Sequence, residues 1–219
     1  MRTPGVKGRV RENKMGKDYK EYHLKEIKRR VLDSTRKLYN QLGPAATTEE
    51  ICREAKIGKG TLFHYFENKE NLFWEAFLDA REHAQEITCQ DVDWDADTDA
   101  ILRQMVRSSL NWAVNFPEEV LFSQNYNMAN RKVMVNQEFH QQVPGIFDDP
   151  RLGGRVKEMI ADSELEEYVI MSANMEAFTL VYYIAEDTER IQNKKIIDFA
   201  VNRICGIFGG GKDTFLQRG

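Results

Sequence analysis

Apolar residues recur at helical spacing along most of the chain. Leu24, Ile27, Val31, Leu38 and Leu42 fall on one helical face, and Gly43-Pro44 ends that helix. Thr47 followed three residues later by Glu50 is the signature of a capping box. The hydroxyl takes one orphan amide of the first turn and the carboxylate returns to another. This predicts a short helix over 48–55, with Ile51 and Ala55 facing inward. Lys56-Ile57-Gly58 reads as a tight turn, and a second short helix is expected near 59–66. Asn68 reads as another N-cap, with Glu70 in the first turn of a longer helix over 69–88. Residues 91–99 form an acidic connector. Further helices are expected over 98–115, 117–127, 130–142, 151–161, 164–186 and 192–208, with breaks at Pro117, Pro144-Gly145, Pro150 and Gly153-Gly154. No strand-type alternation persists anywhere, so the expected fold class is all-α.

Composition narrows the picture. Among 219 residues, 42% are hydrophobic and 30% charged, which excludes collagen, a linker protein and a wholly disordered chain. The three cysteines, Cys52, Cys89 and Cys205, are odd in number and far apart. That excludes a disulfide framework and a Cys-x-x-Cys metal site, and it points to a reducing, cytoplasmic setting. Residues 1–22 carry Arg2, Lys7, Arg9, Arg11, Lys14, Lys17 and Lys20 with little apolar content. They read as a flexible basic arm without the apolar run of a secretory signal. The apolar stretch 168–185 is interrupted by Ser172, Asn174, Glu176 and Thr179, and reads as a buried helix rather than a membrane span.

The net charge of −4 hides a division. Residues 1–75 hold 17 Lys and Arg against 11 Asp and Glu, whereas residues 76–219 hold 14 against 24. A basic head on an acidic body suits a molecule whose head alone meets a polyanion.

Two short helices joined by a turn of three or four residues make a helix-turn-helix, whose second helix is short enough to enter a major groove end-on. Ile51, Ala55, Ile57, Leu62 and Phe66 would lock the pair, leaving Lys59, Gly60, Thr61, His64 and Tyr65 to project. The run from Thr47-Thr48 through Gly60-Thr61-Leu62-Phe63-His64-Tyr65-Phe66 to Lys69-Glu70-Asn71-Leu72 resembles the DNA-binding domain of TetR-type transcriptional regulators. The resemblance covers residues 24–75. Three positions depart from the pattern: Lys56 stands where glycine is common, Gly58 where Ser or Thr is common, and Phe63 where Tyr is usual. Lys56 implies about 1 kcal/mol of local strain at a left-handed helix end.

The resemblance implies roles for particular residues. Thr48 would bond a phosphate at the start of helix 2. Lys59 would reach a base edge or phosphate, and Gly60 would allow close approach. Thr61 and His64 would touch bases or sugars, while Tyr65 and Lys69 would bond phosphates. It also implies the domain plan: a basic arm at 1–22, a three-helix DNA-binding domain at 23–75, a helical ligand-binding and dimerisation domain at 76–208, and a tail at 209–219. On its own residues, the 164–186 helix is apolar nearly all round and needs more than its own core. The 192–208 helix offers Ile196, Ile197, Ala200, Val201, Ile204 and Phe208, and with the resemblance this implies a two-fold four-helix interface with a partner subunit. Met105, Trp112, Phe122, Tyr126, Met175 and Tyr182 are candidate effector-contacting residues, with Phe116, Met134 and Phe139 of similar character. Glu176 could meet a cationic ligand, pair across an interface or face solvent.

Other chemistry is excluded by spacing. Residues 206–212 have P-loop glycine spacing, but Asp213 replaces the magnesium-binding hydroxyl. The Asp91/Asp93/Asp95 run begins like a calcium loop, yet Ala96 and Leu102 stand at its glycine and glutamate positions. The run reads instead as a cap for the helix that follows. No catalytic arrangement, cofactor motif or metal-ligand spacing is present. The expectation is a homodimeric, non-enzymatic repressor, released from a palindromic double-stranded operator by a small-molecule effector. On the residues alone, a helical dimeric adaptor or a small-molecule carrier that does not bind DNA stays open.

Overall fold

The computed structural model describes residues 7–130, 145–152, 154–160, 162–187 and 194–209. The elements in chain order are α1 (Lys7–Leu42), α2 (Thr48–Glu54), α3 (Lys59–Tyr65), α4 (Lys69–Cys89), α5 (Thr98–Asn115), α6 (Pro117–Ala129), α7 (Arg155–Met159), α8 (Glu166–Ala185) and α9 (Lys194–Gly209). Single 3-10 turns occur at Gly43–Ala45, Ile146–Asp148 and Ser163–Leu165. Among the described residues there is no strand, and no helix is long and apolar enough to cross a membrane. The helix expected at 130–142 lies outside the described residues beyond Asn130, as does the tail beyond Gly209.

The chain divides into two compact units, Met1–Ala76 and Phe77–Gly219. In the first, α1 ends at Leu42 as expected but differs from expectation at its start. Its backbone is helical from Lys7, so most of the segment expected as an arm belongs to the helix. Arg, Lys, Glu and Met are good helix formers and lose little rotamer freedom in a helix. The buried stripe also differs from the apolar period. Val31, Leu32, Thr35 and Tyr39 are buried, whereas Leu24 and Leu42 are exposed. Thr35 hides in the core because its hydroxyl donates to the Val31 carbonyl at 2.7 Å, so its own polar group is paired. Arg36 is buried as well, donating to Asp33 Oδ1 at 2.7 Å and to the Ala76 carbonyl at 3.4 Å. Tyr39 meets Phe73 of α4 edge-on at 5.0 Å. Gly43, at φ +59°, ends α1 in the left-handed conformation that costs glycine least.

The second unit is a bundle of α5, α6, α8 and α9 with the later part of α4. Asp97 caps α5 by accepting from the Ala100 amide at 2.9 Å. The core joins Ile101, Leu102, Met105 and Leu110 of α5 to Ala173, Ala177, Val181 and Ile184 of α8 and to Ala200, Val201, Ile204 and Phe208 of α9. The small residues of α8 let neighbouring helices approach closely. Phe147, in the turn before α7, meets Phe208 edge-on at 4.9 Å. The helix expected over 151–161 shrinks to α7, five residues long. Pro150 and the glycine pair leave room for a turn instead, in which Asp149 Oδ1 accepts from the Arg151 amide at 2.8 Å and the Asp149 carbonyl accepts from that of Leu152 at 3.0 Å.

Among the described residues, two helices of this unit expose large apolar side chains. On α8, Tyr168, Met171 and Met175 lie at three- and four-residue spacing, with Tyr183 eight residues further on, all at least 49% exposed, opposite the buried alanines. On α9, Phe199 is 62% exposed, while Ala200, Val201, Ile204 and Phe208 turn into their own core. The outward stripe of α9 is therefore Phe199, Asn202, Arg203 and Gly206, not the aliphatic set expected from the sequence. Beside it, Arg203 Nε donates to Glu176 Oε1 at 2.9 Å, so Glu176 is paired within its own chain.

Candidate nucleic-acid interface

The helix-turn-helix is built by local chemistry. The Glu50 amide donates to Thr47 Oγ1 at 3.2 Å, and Glu50 Oε2 accepts from the Thr47 amide at 2.9 Å and hydroxyl at 2.7 Å. The capping box closes as expected, and those Thr47 bonds hold the Glu50 carboxyl below the usual carboxylate range. At the other end of α2, the Ile57 amide donates to the Cys52 carbonyl and the Lys56 amide to that of Arg53. This is a Schellman motif. Its left-handed residue is Lys56, at φ +55°, the conformation that a Cβ opposes. Gly58 caps α3 in extended conformation with no side-chain bond. Ile51, Ala55, Leu62 and Phe66 are buried and fix the two helices against each other, while Ile57 is half-buried.

What remains outward is Lys59, Gly60, Phe63 and His64, all exposed, with Thr61 and Tyr65 half-buried beside them. A Cβ built on Gly60 meets nothing within 4 Å, so a neighbouring surface could approach that backbone. The His64 and Tyr65 rings meet edge-on at 5.3 Å. Phe63 leaves an apolar ring 46% exposed on this short helix. Lys69 is more engaged than its role in the resemblance implies. It donates to the Pro44 carbonyl at 3.0 Å, with its ammonium 5.6 Å from the Phe73 ring centroid. That link ties the start of α4 to the turn after α1.

Glu49 is the residue that sequence reasoning missed. Its Oε1 accepts from Lys59 Nζ, and its Oε2 accepts from the Thr48 hydroxyl at 3.1 Å. The hydrogen bond from Lys59 is the largest reason its carboxyl is held down at about 2, and the same bond raises the Lys59 ammonium. Thr48 and Lys59 were each assigned to a nucleic acid, and here one acid holds both. The signal was present in the sequence as an acid in the first turn of α2, ten positions before Lys59. Only the fold brings those positions together.

The expected effector residues are dispersed. Met105 and Phe122 are wholly buried. Trp112 is buried and donates its indole N–H to Glu119 Oε2 at 3.0 Å. Tyr126 stacks on Phe77 at 5.1 Å and lies 5.8 Å from Phe122. Tyr182 is half-buried, its phenol raised by a bond to Glu186. Met175 stands apart, on the outer stripe of α8. Phe116 is exposed, while Met134 and Phe139 lie outside the described residues. An open depression of about 440 Å³ lies elsewhere, lined by Gln85, Glu86, Cys89, Gln90 and Arg151. At its edge, buried Asp149 accepts from Gln85 Nε2 at 2.5 Å and from Arg151 Nε and a terminal nitrogen at 2.9 and 2.8 Å. The Arg151 bonds hold the Asp149 carboxyl below its ordinary value, and burial pushes the adjacent Cys89 thiol up to about 11. Arg151 in turn lies 4.3 Å from the Trp94 ring centroid. All three cysteines are buried and free.

Residues 31–76 match the family model of bacterial regulatory proteins of the tetR family. Over 51 residues the chain is 41% identical to the uncharacterised HTH-type transcriptional regulator YhgD of Bacillus subtilis (strain 168), a match spanning 23% of this chain and 27% of that one. Among solved structures, it resembles a candidate tetR family transcription regulator from Shewanella sp. PV-4 (TM-score 0.67, 23% identity, 82% of this chain and 96% of that one). A TetR family transcription regulator from Marinobacter aquaeolei VT8 is also similar (TM-score 0.65, 13% identity, 85% and 97%). So is the fatty acid degradation regulator FadR from Bacillus halodurans (TM-score 0.60, 13% identity, 86% and 97%). The structural likenesses extend the shared fold beyond the segment in which sequence is shared.

Proposed function

From a TetR-family DNA-binding domain at residues 31–76, in a chain with the fold of that family's regulators, we propose a homodimeric transcription repressor that binds a palindromic operator and is released by a small-molecule effector. The observation that carries this reading is the outward face of α3. Lys59, Gly60, Thr61, His64 and Tyr65 stand on a seven-residue helix braced by buried Ile51, Ala55, Leu62 and Phe66. A rigid short helix with polar ends fits a major groove, where base edges offer acceptors and donors. Thr48, Tyr65 and Lys69 supply donors for phosphates, which position the head without choosing a sequence. Exposed Phe63 adds a ring suited to a thymine methyl.

The second copy is supported by the stripes on α8 and α9. Exposed Tyr168, Met171 and Met175 on α8, with exposed Phe199 on α9, suit a two-fold interface in which each copy covers the other. Two heads about 34 Å apart would then read successive major grooves of a palindrome. Phe122, Tyr126 and Tyr182, with Met105 and Trp112, remain the proposed effector contacts, whereas Met175 belongs to the proposed interface. An effector acts only through unequal affinity for the DNA-competent and DNA-incompetent arrangements of the dimer. A hundredfold preference, about 2.7 kcal/mol, suffices to empty a marginally occupied operator.

Selection of duplexes from a random library with the full chain, followed by a salt series on the enriched sequence, tests the reading. The expected product is an inverted repeat whose affinity falls steeply with salt. Lys59→Ala should relax base preference, whereas Tyr65→Phe should weaken all sequences alike. A chain that enriches no duplex, or variants that leave affinity and preference unchanged, would overturn it.

A further inference from the structure

The acids of α2 divide their work unequally. Glu50 is spent on the capping box with Thr47, and Glu54 accepts from Lys37 of α1 at 2.6 Å. Glu49 alone turns toward α3, where it holds Lys59 with one oxygen and the Thr48 hydroxyl with the other. The side chains of Lys59 and Glu49 are 55% and 61% exposed, so this pair sits at the surface that a duplex would meet.

We propose that Glu49 is a specificity-determining residue that competes with DNA phosphates for Lys59 and Thr48. The inference rests on the DNA-binding reading above. A duplex of arbitrary sequence offers the head mainly phosphate charge, and that attraction is what non-specific binding consists of. A lysine already neutralised by a carboxylate has less to contribute to it. A duplex with a guanine O6/N7 edge within reach of Lys59 offers a placed acceptor as well, and that replaces the carboxylate on better terms. Glu49 thus lowers affinity for every sequence but lowers it most where no base takes its place. Exposed pairs of this kind are weak, so the barrier to release is small and the effect falls on the ratio of specific to random binding. A bound phosphate would also face the Glu49 charge directly unless Lys59 stands between them. The geometry therefore makes the effect depend on Lys59, which separates it from plain repulsion between an acid and DNA.

The test is a double-mutant cycle in the full chain: wild type, Glu49→Gln, Lys59→Ala and the double variant. Each is titrated with a random-sequence 25-base-pair duplex and with the duplex enriched by selection, over a range of salt. Glu49→Gln should tighten binding to the random duplex about tenfold and steepen its salt dependence by about one counterion per head. It should leave the selected duplex nearly unchanged. In the Lys59→Ala background, the same change should have almost no effect on the random duplex. A gain from Glu49→Gln that is equally large without Lys59 would identify general repulsion and overturn the proposal, as would no gain at all. Wild type that binds neither duplex would instead overturn the DNA-binding reading. A measurement without DNA guards against loss of fold: the Glu49 carboxyl, followed by NMR, should titrate near 2 in wild type and return toward the ordinary carboxylate range in Lys59→Ala. An unchanged midpoint would mean that the pair is absent from solution, which also overturns the proposal.

Discussion

The two units of this chain solve different problems. In the first, helix ends and the turn between α2 and α3 are fixed by bonds spanning two to five residues, and the apolar core serves to hold a polar face at a set angle. In the second, contacts join residues far apart in sequence, such as Phe147 to Phe208 and Gln85 to Asp149, and the polar groups serve the core. The charge follows the same line, positive in the first and negative in the second. The matched family segment ends at residue 76, where the first unit also ends. A surface that must meet one kind of polymer constrains the residue at each outward position. A bundle core constrains mainly volume and apolarity, which many residues satisfy.

The sharpest way to break this contrast lies in the outer stripe of the second unit. Met175→Glu combined with Phe199→Glu should convert a dimer to a monomer in sedimentation at micromolar concentration, because each new charge would be buried at the interface without a partner. Operator affinity should fall at least a hundredfold with it, although neither residue lies in the first unit. A dimer that survives both changes would move the interface elsewhere.

A smaller effect is expected at the polar knot. Asp149→Asn should cost about 2 kcal/mol in urea unfolding, since Gln85 and Arg151 lose a charged acceptor that is itself buried. The folded pKa of Asp149 lies below its unfolded value. Its contribution is therefore complete above the unfolded aspartate range near 3.9 and is lost as pH falls through the lower folded value. Wild type and variant should converge in stability as the solution is acidified below that range. A gap that persists unchanged in acid would show that the carboxylate charge is not what stabilises the knot.

The smallest effect, and the most local, concerns Lys56. Lys56→Gly should raise the thermal midpoint by relieving about 1 kcal/mol at a left-handed position, partly offset by the greater freedom of glycine in the unfolded chain. Gly→Ala at the open position 60 has no such strain to test. A lowered midpoint for Lys56→Gly would mean that the lysine side chain contributes more than its backbone costs.

Legibility followed range. The capping box at Thr47, the N-cap at Asn68 and the turn through Lys56 were readable because each is settled by neighbours within a few residues. The α1 stripe was misread because a threonine that bonds its own helix looks polar in a list and behaves as core in a fold. The aliphatic face of α9 was assigned to a partner because periodicity identifies a face without saying what lies opposite it. Glu49 escaped notice for a related reason: ion pairing across a turn depends on the crossing of two helices, which no spacing rule encodes.

By itself, then, the amino-acid order determined the helical character of the described residues, a basic first unit and most of the outward residues of α3, exposed Phe63 aside. Those follow from backbone hydrogen bonding and from 3.6-residue periodicity, both of which act locally. Only tertiary structure decided that Lys59 and Thr48 answer to one carboxylate, that Asp149 is a buried hub, and that Met175 and Phe199 face away from their own core. Each of those depends on which surfaces meet, and that is settled by the packing of the whole domain rather than by any one segment.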